Sequence, residues 1–168
     1  MLVCLVLNHE PPYNVRVGRP AYNDPSWPAG MSDNAKLEAY ILQNRMAGVF
    51  PEDVDIVIAD DSLVPSDHDC DNLCAFFDAW VLDGTGSVVV DMVRARHIQM
   101  DKIRVARDKA LGALDVEWMI AQEREDKIGI GRVRDAKQSL RDIPETFDLG
   151  LYHTPEALKL AWPEALKR

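Results

Sequence analysis

The stretch VVVDMVRAR, residues 88–96, marks where the chain changes from one kind of sequence to another. Its valines favour a strand, whereas the Ala-, Leu-, Arg- and Lys-rich sequence that follows contains strong helix formers. Asp91 lies between them and is a suitable N-cap for a long helix. The stretch therefore predicts an acidic α+β domain over residues 1–91 and an all-helical part over residues 92–168.

Charge changes at the same place. Residues 1–91 hold 15 acidic and 4 basic side chains, whereas residues 92–168 hold 13 acidic and 15 basic ones; the whole chain has a net charge of −9. Because an acidic chain is repelled by phosphates, we expect no binding to nucleic acid. A chain of 168 residues can bury a sizeable core without a disulfide or a metal.

Neither a membrane anchor nor an export signal is expected. The longest apolar run, Leu2–Leu7, is far shorter than the roughly 20 residues that cross a bilayer, and no basic residue precedes it. Cys4, Cys70 and Cys74 are an odd number of cysteines. Together these observations favour reduced thiols in a cytoplasmic setting.

The first part is predicted to form a small mixed sheet with one helix. The apolar run Leu2–Leu7 predicts a strand buried on both faces, and residues 53–60 predict a second core strand. Prolines confine residues 8–30 to a loop with one edge strand at 13–18. Ser32 is a suitable N-cap for a helix that extends to about residue 46.

A β-hairpin should complete the first part. Two β-rich runs, 79–82 and 88–90, flank a short turn that contains glycine. Trp80 lies in the first run and is expected in the core, whereas Trp27, in the proline-rich loop, is expected to be exposed. Trp27 is therefore a candidate contact with another protein.

The second part is predicted to form helical hairpins. One helix should extend from Asp91 to about residue 114, and Asp115 could cap a second one. A third apolar stripe lies at residues 130–143. The helix that carries it must end near residue 142, because a proline follows at 144. Thr154 is an N-cap candidate followed by Pro155, which predicts a last short helix.

Acidic, histidine and cysteine residues cluster between residues 60 and 78. Asp67, Asp69, Asp71 and Asp78 match positions 1, 3, 5 and 12 of a calcium loop, but its glycine position holds Asn72. Zinc is a second alternative, with His68, Cys70 and Cys74 as ligands and no fourth Cys or His nearby. The favoured interpretation is a solvated acidic loop, without metal or cofactor.

Local motifs of catalysis are not found in the sequence. It has no G-x-S-x-G, no phosphate-binding glycine loop and no H-E-x-x-H, and its four histidines are scattered. We therefore expect a protein that is not an enzyme. Basic residues between 94 and 109 (Arg94, Arg96, Lys102, Arg104, Arg107 and Lys109) predict a basic helix face that could dock on an acidic partner or on another copy.

The second half resembles a known pattern in its ordered series of short motifs. These are Ile103-Arg104-Val105-Ala106-Arg107, Leu114-Asp115-Val116-Glu117-Trp118-Met119, Lys137-Gln138-Ser139-Leu140-Arg141-Asp142-Ile143-Pro144, Thr154-Pro155-Glu156-Ala157-Leu158 and Ala161-Trp162-Pro163. The series is similar to the C-terminal module of tail assembly chaperones and tail-fibre-assembly-like proteins of tailed phages and prophages. It covers about residues 103–163, and the hairpin and helix start before it also resemble prophage sequences. The long acidic part in front departs from that pattern.

The resemblance implies a non-enzymatic protein that binds other phage tail or fibre proteins. It would be a structural adaptor in the virion, at a tail, fibre or collar interface, or else a transient fibre assembly chaperone in the host cytoplasm. A second alternative, which rests on the cluster between residues 60 and 78 and not on the resemblance, is a metal-binding protein. The partner-binding candidates are Tyr13, Tyr22, Trp27, Arg94, Arg104, Arg107, Arg141 and Trp162, and self-association is a further expectation.

Overall fold

The computed structural model describes residues 1–7, 15–64 and 74–167 and divides into two compact units, Met1–Asp91 and Met92–Arg168. Among the described residues, the first unit holds the strands and one α-helix, and the second is helical. The predicted α+β class is confirmed. Within the described residues, none of the helices combines the length and the apolar character needed to span a bilayer.

The first unit is built on a three-stranded sheet with the order β2-β1-β3. Its strands are β1 (Leu2–Leu7), β2 (Val15–Gly18) and β3 (Asp55–Asp60). Both pairs are antiparallel, although a mixed sheet was predicted. The connection from β1 to β2 is shorter than the roughly dozen residues that a parallel crossover needs.

β1 is the central strand and is buried on both faces, as predicted. Its alternate side chains enter two clusters, because successive residues of a strand point to opposite faces. Val3 and Leu5 pack in one cluster, and Cys4 and Val6 pack in the other. β3 was expected to be a core strand, and this was wrong: in the sheet order of the described strands, β3 lies at an edge, and it is largely exposed.

The predicted helix and hairpin of this unit are confirmed. Helix α1 (Asp33–Met46) begins where the Ser32 hydroxyl accepts a hydrogen bond from the Ala35 amide. Strands β4 (Trp80–Leu82) and β5 (Val88–Val90) pair in antiparallel fashion. Trp80 is buried in the same cluster as Val3 and Leu5, as expected.

Gly18 carries a testable consequence of this packing. A Cβ at this position would lie 2.5 Å from Cys4 Sγ and 3.0 Å from Tyr40 Cε1, against side chains of the second cluster. We expect Gly18→Ala to lower the free energy of unfolding by about 1–3 kcal/mol, the usual cost of overpacking. Gly84→Ala, where nothing lies within 4 Å, is the matched control. If urea denaturation shows equal losses of unfolding free energy for Gly18→Ala and Gly84→Ala, the prediction is contradicted.

The second unit begins with α2 (Met92–Glu123), a continuous helix of 32 residues. The prediction that Asp115 caps a separate helix was wrong. No proline interrupts α2, and the residues around Asp115 are compatible with helix. The Asp115 carboxylate instead accepts a hydrogen bond from Lys137 Nζ at 2.7 Å.

α3 (Lys127–Arg141) follows a tight turn and packs against α2. It begins where Asp126 Oδ1 accepts a hydrogen bond from the Gly129 amide, and Asp142 follows its last residue as predicted. Val133 and Leu140 of α3 are buried, as are Ala95, Ile103, Leu114 and Ala121 of α2.

The chain after α3 forms short helices that are fixed to the start of α2. They are α4 (Ile143–Thr146), α5 (Pro155–Lys159) and two 3-10 helices (Leu149–Leu151 and Glu164–Leu166). Thr154 caps α5, as predicted. Buried Gln99 donates from Nε2 to the Ala161 carbonyl at 3.0 Å, and Arg96 donates to the carbonyls of Leu149 and Tyr152.

Candidate protein-binding surfaces

The predicted contact residues of the proline-rich loop are partly turned inward. Tyr22 donates from its hydroxyl to the Leu2 carbonyl at 2.6 Å, and Trp27 donates from Nε1 to the Ala21 carbonyl at 2.9 Å. Both side chains are half-buried. Burial, with a smaller contribution from the Asp33 carboxylate, raises the pKa of Tyr22. Tyr13 lies outside the described residues.

Trp27 nevertheless reaches the surface. Together with Arg19, Met31 and Gln43 it lines a shallow cleft of about 670 Å³. The loop is therefore held in place by the hydrogen bonds of Tyr22 and Trp27, while one edge of the indole stays accessible. Such a rigid, half-exposed aromatic residue is a suitable anchor for a partner.

The predicted basic face of α2 is not one surface. Arg96 is directed at backbone carbonyls within the unit, so its assignment to the face was wrong. Arg104 is exposed and pairs with Asp101 at 2.8 Å, and Arg107 pairs with Asp108 at 2.9 Å. Arg94 is half-buried. At 100° per residue these spacings distribute the cations around the helix, and neighbouring carboxylates offset much of their charge.

Trp162 and Arg141 have different surroundings. Trp162 is half-buried between Ala161 and Pro163, both buried, so its position is fixed by the packing of its neighbours. Arg141 is exposed in the last turn of α3. Arg141 lies beside an aromatic side chain.

That aromatic side chain is Trp118 of α2. Trp118, Arg134, Lys137 and Arg141 line a recess of about 170 Å³, and we call this surface the Trp118 patch. Its three cations stand at i, i+3 and i+7 along one face of α3. The patch therefore combines an aromatic ring with positive charge from the facing helix.

Lys137 fixes the geometry of the Trp118 patch. Its Nζ lies 5.3 Å from the centroid of the Trp118 ring, within the range of a cation–π interaction, and it donates to Asp115 Oδ1 at 2.7 Å. Only 12% of the Lys137 side chain is exposed. Lys137 is thus already engaged with α2, whereas Arg134 and Arg141 reach solvent on either side of it.

The patch is suited to a carboxylate. An arginine guanidinium presents a planar fork that binds a carboxylate through two hydrogen bonds, and the exposed edge of Trp118 offers an apolar contact beside it. Arg134 lies 3.4 Å from Asp135, and both side chains are 74% exposed, so this weak pair can be exchanged for a better one. An acidic segment with an apolar side chain is the ligand that fits.

Of the four residues of the Trp118 patch, Arg141 was among the partner-binding candidates predicted from the sequence, whereas Trp118, Arg134 and Lys137 were not. The i, i+3, i+7 spacing of the three cations was visible in the sequence. Their position beside Trp118 was not, because it depends on how α3 folds back along α2.

A second cleft lies on the same pair of helices. It has a volume of about 350 Å³ and is lined by Glu117, Ile120, Arg124, Asp126 and Arg132, with Ala121, Gly129 and Val133. Its acidic and basic residues alternate, so it favours neither sign of charge. Arg132 is exposed here, outside the Trp118 patch, and is therefore a suitable control for Arg134 and Arg141.

The metal alternatives fall mostly outside the described residues. Asp67, His68, Asp69, Cys70 and Asp71 are not described. Among residues 1–7, 15–64 and 74–167, no group of three or more His, Cys, Asp or Glu side chains is placed to hold a metal ion. Asp61, at the beginning of the predicted cluster, is paired with Arg19 at 2.9 Å.

The comparisons with known proteins add no relative. Neither protein-family models, nor curated proteins, nor solved structures match this chain.

Proposed function

We propose that the protein is a non-enzymatic component of a bacteriophage tail that binds other tail proteins, as a structural adaptor of the virion. The observation that carries the binding function is the Trp118 patch, which presents an aromatic ring and two solvent-reaching arginines on one surface. The assignment to a phage tail rests on the ordered series of motifs between residues 103 and 163. The first four motifs lie on the helices α2, α3, α4 and α5, and the last, Ala161-Trp162-Pro163, follows α5.

The physical role of the patch would be to select an acidic partner. Charged groups at the rim of an interface mainly increase the rate and the specificity of association, while a desolvated aromatic residue contributes much of the affinity. Trp118 is half-buried and held by Lys137, so little conformational entropy is lost when a partner packs on it.

Mass spectrometry of purified particles tests the assignment directly. We expect peptides of this chain in tail-containing particles at a constant ratio to a known tail protein. If the chain is missing from particles while deletion of its gene yields particles without fibres, the adaptor role fails and the chaperone role replaces it. If particles lack the chain and its deletion leaves them intact and infectious, both roles fail.

Charge reversal tests the patch. We expect Arg134→Glu combined with Arg141→Glu to reduce incorporation into particles about tenfold or more, because charge-assisted hydrogen bonds are worth about 1.5–3 kcal/mol each. The matched control is Arg132→Glu, an exposed arginine of the same helix that lines the other cleft. Thermal melting of each purified variant would check its fold. Equal incorporation of both variants would remove the patch from the interface.

A further inference from the structure

The outer edge of β3 is a second surface, independent of the Trp118 patch. In the sheet order β2-β1-β3 both β2 and β3 are edge strands, but β2 lies against β4 of the hairpin. β3 is six residues long and is the edge strand for which the described residues provide no neighbouring strand. Edge strands of this kind present unpaired backbone groups that can accept another strand.

The hydrogen-bond register shows which backbone groups face outward. The Asp61 amide donates to the Met1 carbonyl at 2.8 Å, and hydrogen-bonded pairs recur at every second residue of an antiparallel ladder. Val57 and Ala59, opposite Leu5 and Val3, are therefore bonded to β1. Ile56 and Ile58, which lie between these bonded residues, direct their N–H and C=O groups to the outer edge of β3, away from β1.

Apolar side chains are exposed at the middle of the same edge. Val57 is 41% exposed and Ile58 is 50% exposed, and as neighbours they point to opposite faces of the sheet. A strand added beside β3 would cover part of both side chains. The residues Asp55–Asp60 include none of the lysines or prolines with which proteins commonly protect an edge.

Charge at the ends of β3 indicates which strand fits. Glu52 and Asp53 precede it and are exposed, and Asp60 closes it. Hydrogen bonds from Ser62 hold the pKa of Asp60 below its ordinary value, so this carboxylate stays ionised. A second copy paired in antiparallel fashion would bring Asp53 and Asp60 of the two chains close together, and like charges across strands are destabilising.

We propose that the β3 edge binds an extended segment of a different protein as a fourth strand. Its middle residues would be β-branched or apolar, contacting Val57 and Ile58, and basic residues would stand at both ends, opposite Glu52, Asp53 and Asp60. Backbone hydrogen bonds to Ile56 and Ile58 supply the pairing, and the charges select the partner. This goes beyond the proposed tail role, because it concerns another surface and another class of ligand.

Two designed peptides test the proposal on the full chain. Each alternates threonine and valine, one with two lysines at each end and the other with two glutamates. We expect fluorescence anisotropy to show the lysine peptide binding about tenfold or more tightly than the glutamate peptide at low salt. Hydrogen exchange should slow at the Ile56 and Ile58 amides when the lysine peptide is bound.

Several outcomes would overturn the proposal. They are absence of binding, equal binding of both peptides, and slowed exchange at residues other than those of β3. Ile56 and Ile58 amides that are already protected in the free chain would show that another segment or a second copy occupies the edge.

A charge-reversed chain sharpens the test. Glu52→Lys combined with Asp53→Lys reverses the charge at one end of β3 while Asp60 stays acidic at the other, so it should abolish most of the preference for the lysine peptide. Glu38→Lys, at an exposed acid of α1, should leave that preference unchanged. The same preference in both variants would contradict the charge selection. If the double variant does not fold, hydrogen exchange at the Ile56 and Ile58 amides of the unchanged chain still decides whether the peptide binds at β3. Arg134→Glu and Arg141→Glu should not affect peptide binding, so this proposal and the tail role can fail separately.

Discussion

Phe76→Ala is expected to lower the free energy of unfolding of the first unit by about 3–5 kcal/mol, the usual cost of removing a buried ring. Phe76 is fully buried, and its neighbour Phe77 is 37% exposed. The backbone explains the difference: Phe76 has φ −124° and ψ 34° inside the 3-10 segment Cys74–Ala79, so the helical turn is broken at that residue. Two adjacent phenylalanines therefore have unlike surroundings.

Phe77→Ala is the matched control. The centroids of the Phe77 and Trp80 rings lie 5.3 Å apart. Such an aromatic pair contributes about 0.5–1.5 kcal/mol to stability beyond the area it buries. The loss for Phe77→Ala should therefore be clearly smaller than that for Phe76→Ala. Hydrogen exchange at the β1 amides measures the stability of this unit specifically. Similar losses for the two variants would mean that both rings contribute equally to the core.

The elements that the sequence predicted correctly depend on local patterns. Leu2–Leu7 is apolar at every position, and a strand with no polar face must be covered on both sides. Ser32 and Thr154 each precede a helix and have a side chain that can accept an amide hydrogen bond in its first turn. These signals act within a few residues, so they do not depend on the rest of the fold.

The predictions that failed depend on neighbours distant in the chain. Asp115 has the chemistry of an N-cap, but α2 continues through it and Lys137 of the next helix supplies its partner. β3 is apolar enough for a core strand, yet its exposure is decided by the number of strands in the sheet. Arg96 resembles a surface cation, and carbonyls more than 50 residues away bind it.

The Trp118 patch also depends on contacts between residues distant in the chain. Trp118 and Lys137 are far apart in the sequence, and only the packing of α2 against α3 places the ammonium group 5.3 Å from the ring centroid. Periodicity could show that Arg134, Lys137 and Arg141 share a helix face, but not which side chain lies beside that face. Tertiary contacts define this surface.

Ile103→Ala is expected to lower the free energy of unfolding of the second unit by about 2–5 kcal/mol. Ile103 lies on α2 and is fully buried. Nearby in the sequence, Gln99 is buried as well and holds the carbonyl of Ala161. A cavity at Ile103 would remove apolar contacts from a helix that buries few large side chains. The decrease in the free energy of unfolding should therefore lie toward the upper part of the range given above.

Val105→Ala supplies the matched control for Ile103→Ala. Both residues are β-branched and stand two positions apart on α2, but Val105 is 72% exposed. Its replacement should change the free energy of unfolding by about 0.5 kcal/mol or less, and alanine's better helix propensity would offset part of any loss. Hydrogen exchange at the α3 amides measures both variants. A large loss for Val105→Ala would show that this side chain is covered in solution, and a small loss for Ile103→Ala would contradict the packing described for α2.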